Sequence, residues 1–383
     1  MKALVVGGGP SGSIAAKKLA EYGFDVKLFE KEKIPREKIC AGYVSQRAIS
    51  LLEKNDIDCT ETISEIEGFK VKYKDEKLEL EFNHLTGNVY RDEFDDLLCR
   101  KASESGAELI DSNKLYEIKS DEDGYHVISD KSKDIFDVII GADGVNSNIR
   151  KILNIPYDKD NIGVCIQSEI RQHESEMKKY GKNVYDMCFI KNGYGWIFPK
   201  KNRNTINVGL WISREKARKE KINLYGEFQK YLNANKIKSL EEPKGYILPY
   251  KGTVATFGKG KMLLVGDAGG FVGLGGEGIP YAIESGLLSA EAVKTFYDDG
   301  GSLVQIYTGL ISDLLREINF YMARLNSVFF NPFLIKKVIQ MANREDYIHS
   351  LMYDLASGTM HYDDVIRNLS YPKLFTAFLR SLI

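Results

Sequence analysis

MKALVVGGGPSGSIAAKKLAEYGFDVKLFE, residues 1–30, is the stretch that decides the fold. Its residues 2–6 (KALVV) are a short apolar run ending in glycines, the pattern of a buried parallel strand. From Ser11 to Tyr22, Ile14, Ala15, Leu19 and Ala20 recur at helical spacing, and Asp25–Glu30 reads as a second strand. Strand, helix and strand in about thirty residues make a βαβ unit. Gly7, Gly9 and Gly12, with Pro10 and Ser11 between them, fit G-x-G-x-x-G at the turn from strand to helix. Gly7 permits the tight turn, Gly9 lets the backbone approach a pyrophosphate, and Gly12 lets helix and strand pack closely. Free N–H groups at the helix start, helped by its dipole, favour anionic phosphates. Glu30 ends the second strand, where a carboxylate can accept hydrogen bonds from a ribose 2′-hydroxyl. A glycine pattern alone is most simply a turn. Here strand, helix and acid stand in register, so a Rossmann-type dinucleotide site is expected.

The rest of the chain reads outward from that unit. Arg91–Ser105 is an expected helix closed by Gly106, followed by short strands around an Asp123–Gly124 turn, a β-meander. Asp137–Gly141 and Met262–Val265 read as further buried strands of the parallel sheet. Between them, residues 161–250 carry strand-like stretches, including Val184–Ile190 and Thr205–Ile212, and few helical patterns. That block reads as a mostly antiparallel sheet inserted into the dinucleotide fold. A helix is expected from about Pro280 to Tyr297, and mostly helices from Gly309 onward.

Composition narrows the function. With 53 basic and 54 acidic residues among 383, no global field recruits nucleic acid, and none is expected as a partner. Five scattered cysteines without a CxxC pair suggest neither a disulfide framework nor a zinc site, and no metal is expected. No apolar run reaches the ~18 residues of a membrane span. The opening residues run straight into the first strand, so a cytoplasmic protein with at most peripheral membrane contact is expected.

Two later segments separate FAD from NAD. Gly141-Ala142-Asp143-Gly144 and Val265-Gly266-Asp267-Ala268 each follow a strand, and the second runs into a loop rich in glycine. Here the sequence resembles the glutathione-reductase-type flavoproteins, in the branch of aromatic hydroxylases and geranylgeranyl reductases. The resemblance implies an α/β fold: a Rossmann-type FAD-binding domain, an inserted β-sheet substrate domain and a C-terminal helical region. It implies that Asp267 binds the ribityl chain and that Gly273, Gly275, Gly276 and Gly278 bring backbone N–H groups to the flavin N1–C2 edge, where charge develops on reduction. Asp143 and Gly144, with Asn146 and Arg150 beyond, match the branch's second signature. Arg91 matches an arginine that contacts the cofactor in relatives. Ordinary turn chemistry accounts for a single aspartate at a strand end, but poorly for three glycine-rich segments at family spacing.

Within the branch, Pro35–Gly42 (PREKICAG) resembles the lysine–x–cysteine–glycine–glycine loop of geranylgeranyl reductases, with Ala41 in place of the first of its two glycines. This makes Cys40 the candidate catalytic residue, although a free cysteine is most often a small buried hydrophobe. Tyr194, Trp196 and Phe198, in YGWIFP with Val208-Gly209 beyond, resemble that family's substrate-channel motif. They could equally be core residues of the sheet.

The resemblance implies an FAD-dependent reductase that saturates isoprenoid C=C bonds of a prenyl lipid. Its electrons would come from a ferredoxin-like carrier or NAD(P)H, since no second G-x-G-x-x-G sits in a βαβ context. The alternatives are a flavin monooxygenase or halogenase on a small aromatic substrate, and a non-catalytic electron-transfer or lipid-binding flavoprotein. Expected domains are 1–67, 88–160 and 251–300 for FAD, 68–87 and 161–250 for the inserted sheet, and 301–383 for the helical region. The tail from Tyr371 to Ile383 places Leu374, Phe375, Phe378, Leu379 and Leu382 on one helical face. That face suits packing on the core or docking to a membrane.

Overall fold

The computed structural model describes residues 1–180, 184–190, 193–360, 362, 364 and 367. The amphipathic tail from Tyr371 lies outside the described residues. β1 (Lys2–Val6), α1 (Pro10–Glu21) and β2 (Asp25–Phe29) form the unit expected from the opening sequence. Ala3, Leu4 and Val5 are completely buried because α1 packs on one face of the parallel sheet and Val127 and Phe136 of an antiparallel meander on the other. Pro10 opens α1, where its missing N–H costs no hydrogen bond and its fixed φ already suits a helix. Ile14, Ala15 and Leu19 make the buried stripe, and the helix stops at Tyr22-Gly23.

Five parallel strands run in the order Met262–Leu264, Val138–Gly141, β1, β2 and Glu108–Ile110, with Gly258–Lys259 antiparallel at one edge. The strand order reverses between β1 and Val138–Gly141, the place where an open α/β sheet leaves a crevice at its carboxyl edge. Leu115–Asp121, Gly124–Ser129 and Lys133–Phe136 form the antiparallel meander.

A seven-stranded sheet carries the rest of the β structure, ordered Lys244–Pro249, Ile162–Arg171, Thr205–Ser213, Gly193–Lys200, Val184–Ile190, Gly68–Tyr73, Glu76–Glu81. Every neighbouring pair is antiparallel except Val184–Ile190 with Gly68–Tyr73. Alternation along its strands sorts the two faces. Ile206, Val208 and Leu210 pack with Phe228, Tyr231 and Leu232 of a helix on one side. Trp196, Phe198 and Trp211 face the other, toward Ile335, Ile339 and Met352 of the C-terminal helices. Both faces are covered, which is why all eight residues of Gly193–Lys200 are buried. Helices follow one another from Ile279–Asp299 to Asp346–Ser357. Among the described residues, no helix is long and apolar enough to cross a membrane.

Candidate active site

One cavity of about 910 Å³ runs from the end of β1 to the covered face of the seven-stranded sheet. At its first end the N–H groups of Gly9, Ser11 and Gly12 have no acceptor among the described residues, and no side chain caps α1. A Cβ built on Gly9 would stand 3.9 Å from Nη2 of Arg91 and 4.0 Å from Nη2 of Arg36. The space over Gly9 is therefore flanked by two guanidinium groups at a helix N-terminus, an anion cradle in charge and in donors. Asp95, fully buried, holds both arginines: its Oδ2 accepts from Arg36 Nη1 at 2.8 Å, and its two oxygens accept from Arg91 at 2.7 and 2.9 Å. Glu30 lines the same end. It is more occupied than the sequence suggested. Its Oε2 accepts from Gly8 N–H at 3.0 Å and faces Arg36 Nε at 3.0 Å, while its Oε1 accepts from Glu32 N–H. The remaining lone pairs are what a ribose hydroxyl could use.

Further along, the turns after two parallel strands face each other. Asp143 Oδ2 accepts from the N–H groups of Asn148 and Ile149 and so caps a short helix, and its buried Oδ1 has no partner among the described residues. Burial raises the pKa of this carboxyl. Arg150 ties the two turns together by donating to the carbonyls of Val145 at 2.6 Å and Ala268 at 2.9 Å. Asp267 lines the cavity beside Gly275, Gly276 and Gly278. The N–H groups of Gly276 and Glu277 are used inside the loop by Gly273 and Leu274. Those of Gly278 and Ile279, at the start of a 21-residue helix, have no acceptor among the described residues. Gly273 turns the other way, its Cβ position lying 2.5 Å from Tyr281 Cε2, and Gly12 packs on Gly7 (neither lines the cavity).

The far end is aromatic. The Tyr194 hydroxyl donates to the Gly275 carbonyl and fastens the inserted sheet to the glycine loop. Its ring stacks on Trp211, centroids 5.5 Å apart, and Trp211 stacks in turn on Phe330 at 5.1 Å. Trp196 and Phe198 continue the wall. The indole N–H of Trp196 donates to Asn207 Oδ1 at 2.7 Å, and Asn207 Nδ2 donates to Glu169, which also pairs with the buried Lys200. Replacing Asn207 by leucine keeps the volume, strands the Trp196 N–H and takes one donor from Glu169. We expect a loss of about 1–3 kcal/mol, read as a lower midpoint of thermal unfolding.

Cys40 lines the cavity between the two ends, half-buried, with the Arg91 guanidinium reaching its thiol. The residues singled out from the sequence thus line one cavity, except Gly12, Gly273 and Arg150. Sequence reasoning missed Arg36, Asp95, Trp211, Phe330 and Tyr246, and gave Lys38 no role. Arg36 and Lys38 stand in the quoted loop beside Cys40, and Trp211 continues the alternation of Asn207 and Gly209. The others carry no local signal.

FAD fits this arrangement. The uncapped helix start and paired arginines suit its pyrophosphate, the free Asp143 Oδ1 and the Asp267 carboxylate suit hydroxyl donors, and the free N–H groups of Gly278 and Ile279 suit an electron-rich ring edge. A fold and crevice of this kind define the FAD-dependent oxidoreductases. The chain belongs to the FAD binding domain family, whose model matches residues 1–284. It is 29% identical over 318 residues to the geranylgeranyl diphosphate reductase of Rhodobacter capsulatus, covering 78% of this chain and 76% of that one. It is 27% identical over 332 residues to the menaquinone reductase of Mycolicibacterium smegmatis, covering 82% and 80%. Its fold matches that of a geranylgeranyl bacteriochlorophyll reductase-like protein from Thermoplasma acidophilum with a TM-score of 0.78 at 21% identity, covering 96% and 98%. The flavin-dependent halogenase CmlS shares the fold with a TM-score of 0.72 at 18% identity, covering 100% of this chain and 77% of that one.

Proposed function

We propose that the protein saturates isolated C=C bonds in the isoprenoid chain of a geranylgeranyl-type lipid. The observation that carries the reading is the continuity of the cavity, from the Asp267 turn and glycine loop straight into the aromatic cleft of Tyr194, Trp196, Phe198 and Trp211. Bound FAD, once reduced, supplies hydride. The chain supplies the rest. An isolated alkene offers nothing to polarise, so the protein works by orientation and by excluding water. Stacked rings and the aliphatic side chains of Leu248, Met352 and Leu355 give a surface of that kind. In this reading Gly7, Gly9, Pro10, Ser11, Glu30, Arg91, Asp143, Gly144, Asp267 and Gly275–Gly278 hold the cofactor, and Cys40 stands at the reacting centre. Electrons come from a ferredoxin-like carrier or NAD(P)H, and the lipid is collected by peripheral contact with a membrane.

The test is anaerobic. Protein reduced with dithionite is mixed with a geranylgeranyl lipid, and both the flavin absorbance and the lipid mass are followed. The expected result is lipid-dependent reoxidation with a gain of one H₂ for each bond reduced. Failure across several prenyl chains overturns the proposal, and product formed only in air from an aromatic substrate identifies a monooxygenase or halogenase instead.

A further inference from the structure

Where the glycine loop meets the aromatic cleft, the cavity wall carries a lysine with no ion-pair partner among the described residues. Lys38 Nζ has no acidic oxygen within 4.0 Å among the described residues; its partner is the hydroxyl of Tyr246, to which it donates. The ammonium also stands 4.2 Å from the centre of the Tyr246 ring. The two come from different parts of the fold, Lys38 from the loop before Cys40 and Tyr246 from the edge strand Lys244–Pro249. Lys244, on the same strand, pairs with Glu37. The strand also presents Leu248, whose Cδ1 lies 2.9 Å from a Cβ built on Gly276, and the Tyr194 hydroxyl is 3.3 Å from that same point. Tyr246 therefore sits on the face that touches the glycine loop, at the junction of cradle and cleft. Its oxygen accepts from Lys38, and its own proton has no acceptor among the described residues.

We propose that Tyr246 is the proton donor to the alkene and that Lys38 recharges it, an assignment that rests on the reductase reading above. The alkene π pair forms a C–H bond to the Tyr246 proton, and the O–H pair stays on the phenolic oxygen. The other alkene carbon receives hydride, with its electron pair, from the reduced cofactor. Lys38 passes one of its protons to the phenolic oxygen and becomes a neutral amine, and water protonates it again before the next turnover. The surroundings suit this order. Burial pushes the Lys38 ammonium down from the ordinary lysine range, helped by the positive charge of Arg91 and opposed by Asp267, Asp95 and Cys40. The Tyr246 hydroxyl is pushed up, first by burial and then by Asp267, Cys40 and Cys165 against Arg91, so it stays protonated. A phenol that holds its proton beside an ammonium that yields one more readily is a directed pair.

The test separates the half-reactions. Tyr246→Phe is expected to bind flavin and accept electrons from dithionite as the wild type does, while its lipid-dependent reoxidation slows about 10²-fold without a change in KM. Lys38→Met is expected to stay yellow and to lose the alkaline limb of the pH–rate profile, and Lys38→Arg to lose it too, since a guanidinium holds its proton. Independently of turnover, protein labelled with ¹³C at lysine Cε is titrated by NMR, and the resonance missing from Lys38→Met is expected to titrate below the other lysines. Full-speed turnover by Tyr246→Phe, an ordinary lysine titration, or loss of flavin from Lys38→Met overturns the assignment alone. A wild-type protein that no prenyl lipid reoxidises overturns the reductase reading and the assignment with it.

Discussion

Gly12→Ala protein is expected to purify colourless. A Cβ at position 12 would lie far inside contact distance of the Gly7 carbonyl oxygen and 3.0 Å from Ala142 Cβ. The first of these is backbone in the tight turn after β1, so no side chain can swing aside. The start of α1 must lift from the sheet instead, carrying the N–H groups of Ser11 and Gly12 away from the position they share with Gly9. Overpacking of this kind costs roughly 1–3 kcal/mol in side-chain cores, where neighbours can still give. Two displaced donors to a charged group add about 1.5–3 kcal/mol each. At about 1.4 kcal/mol per factor of ten, flavin affinity should fall at least 10²-fold. The ratio of flavin to protein absorbance in purified material reads the loss, and titration of the apoprotein with FAD measures it. Gly309→Ala is the control. It lies in the helix Leu303–Leu310 with nothing within 4 Å of the added carbon, and it should leave the protein yellow and no less stable. A yellow Gly12→Ala protein would mean that the phosphates do not sit against α1.

That position is legible because its tightest contact, with the Gly7 carbonyl, is local. Strand, turn and helix are consecutive, and the glycines fall where backbone must meet backbone within a dozen residues. The same holds for the turns at Asp143 and Asp267, each read from a strand followed by small residues, and for the meander around Asp123–Gly124. What the sequence hid is non-local. Arg36 and Asp95 meet across 59 residues, and Lys38 and Tyr246 across 208. Neither pair leaves a periodicity to find. The parallel contact of Val184–Ile190 with Gly68–Tyr73 joins two strands that read separately as ordinary antiparallel candidates. Glu30 was legible as an acid at the right place, but not as one already accepting from Gly8 and Arg36. Gly273 was grouped with its neighbours because a glycine run does not say which members face a cavity. The packing of Tyr281 decides that.

Gly209→Ala is expected to do the reverse of Gly12→Ala, sparing the flavin and impairing the lipid. Gly209 pairs with Trp196 across neighbouring antiparallel strands, and the indole lies over the glycine. A Cβ there would stand 2.6 Å from both Cε2 and Cη2 of Trp196, and closer still to Cζ2. The indole must tilt off the sheet into the cleft, and its N–H must leave Asn207 Oδ1. Overpacking and one lost bond together cost a few kcal/mol, so the thermal midpoint should fall. The cleft narrows where an isoprenoid chain would run, and kcat/KM with a geranylgeranyl lipid should drop about 10–10²-fold, the equivalent of ~1.4–2.7 kcal/mol. Asp267, the glycine loop and α1 lie outside the disturbed strands, so flavin content should match the wild type. Gly245→Ala provides the comparison, because its Cβ would meet only the Cys165 carbonyl oxygen at 3.7 Å. It should change neither quantity. Were Gly209→Ala to reduce a geranylgeranyl lipid at the wild-type rate, the Trp196 wall would be sheet core and the lipid would have to run elsewhere. A loss of flavin in that variant would instead show cradle and cleft to be one mechanical unit, coupled through the bond from Tyr194 to Gly275.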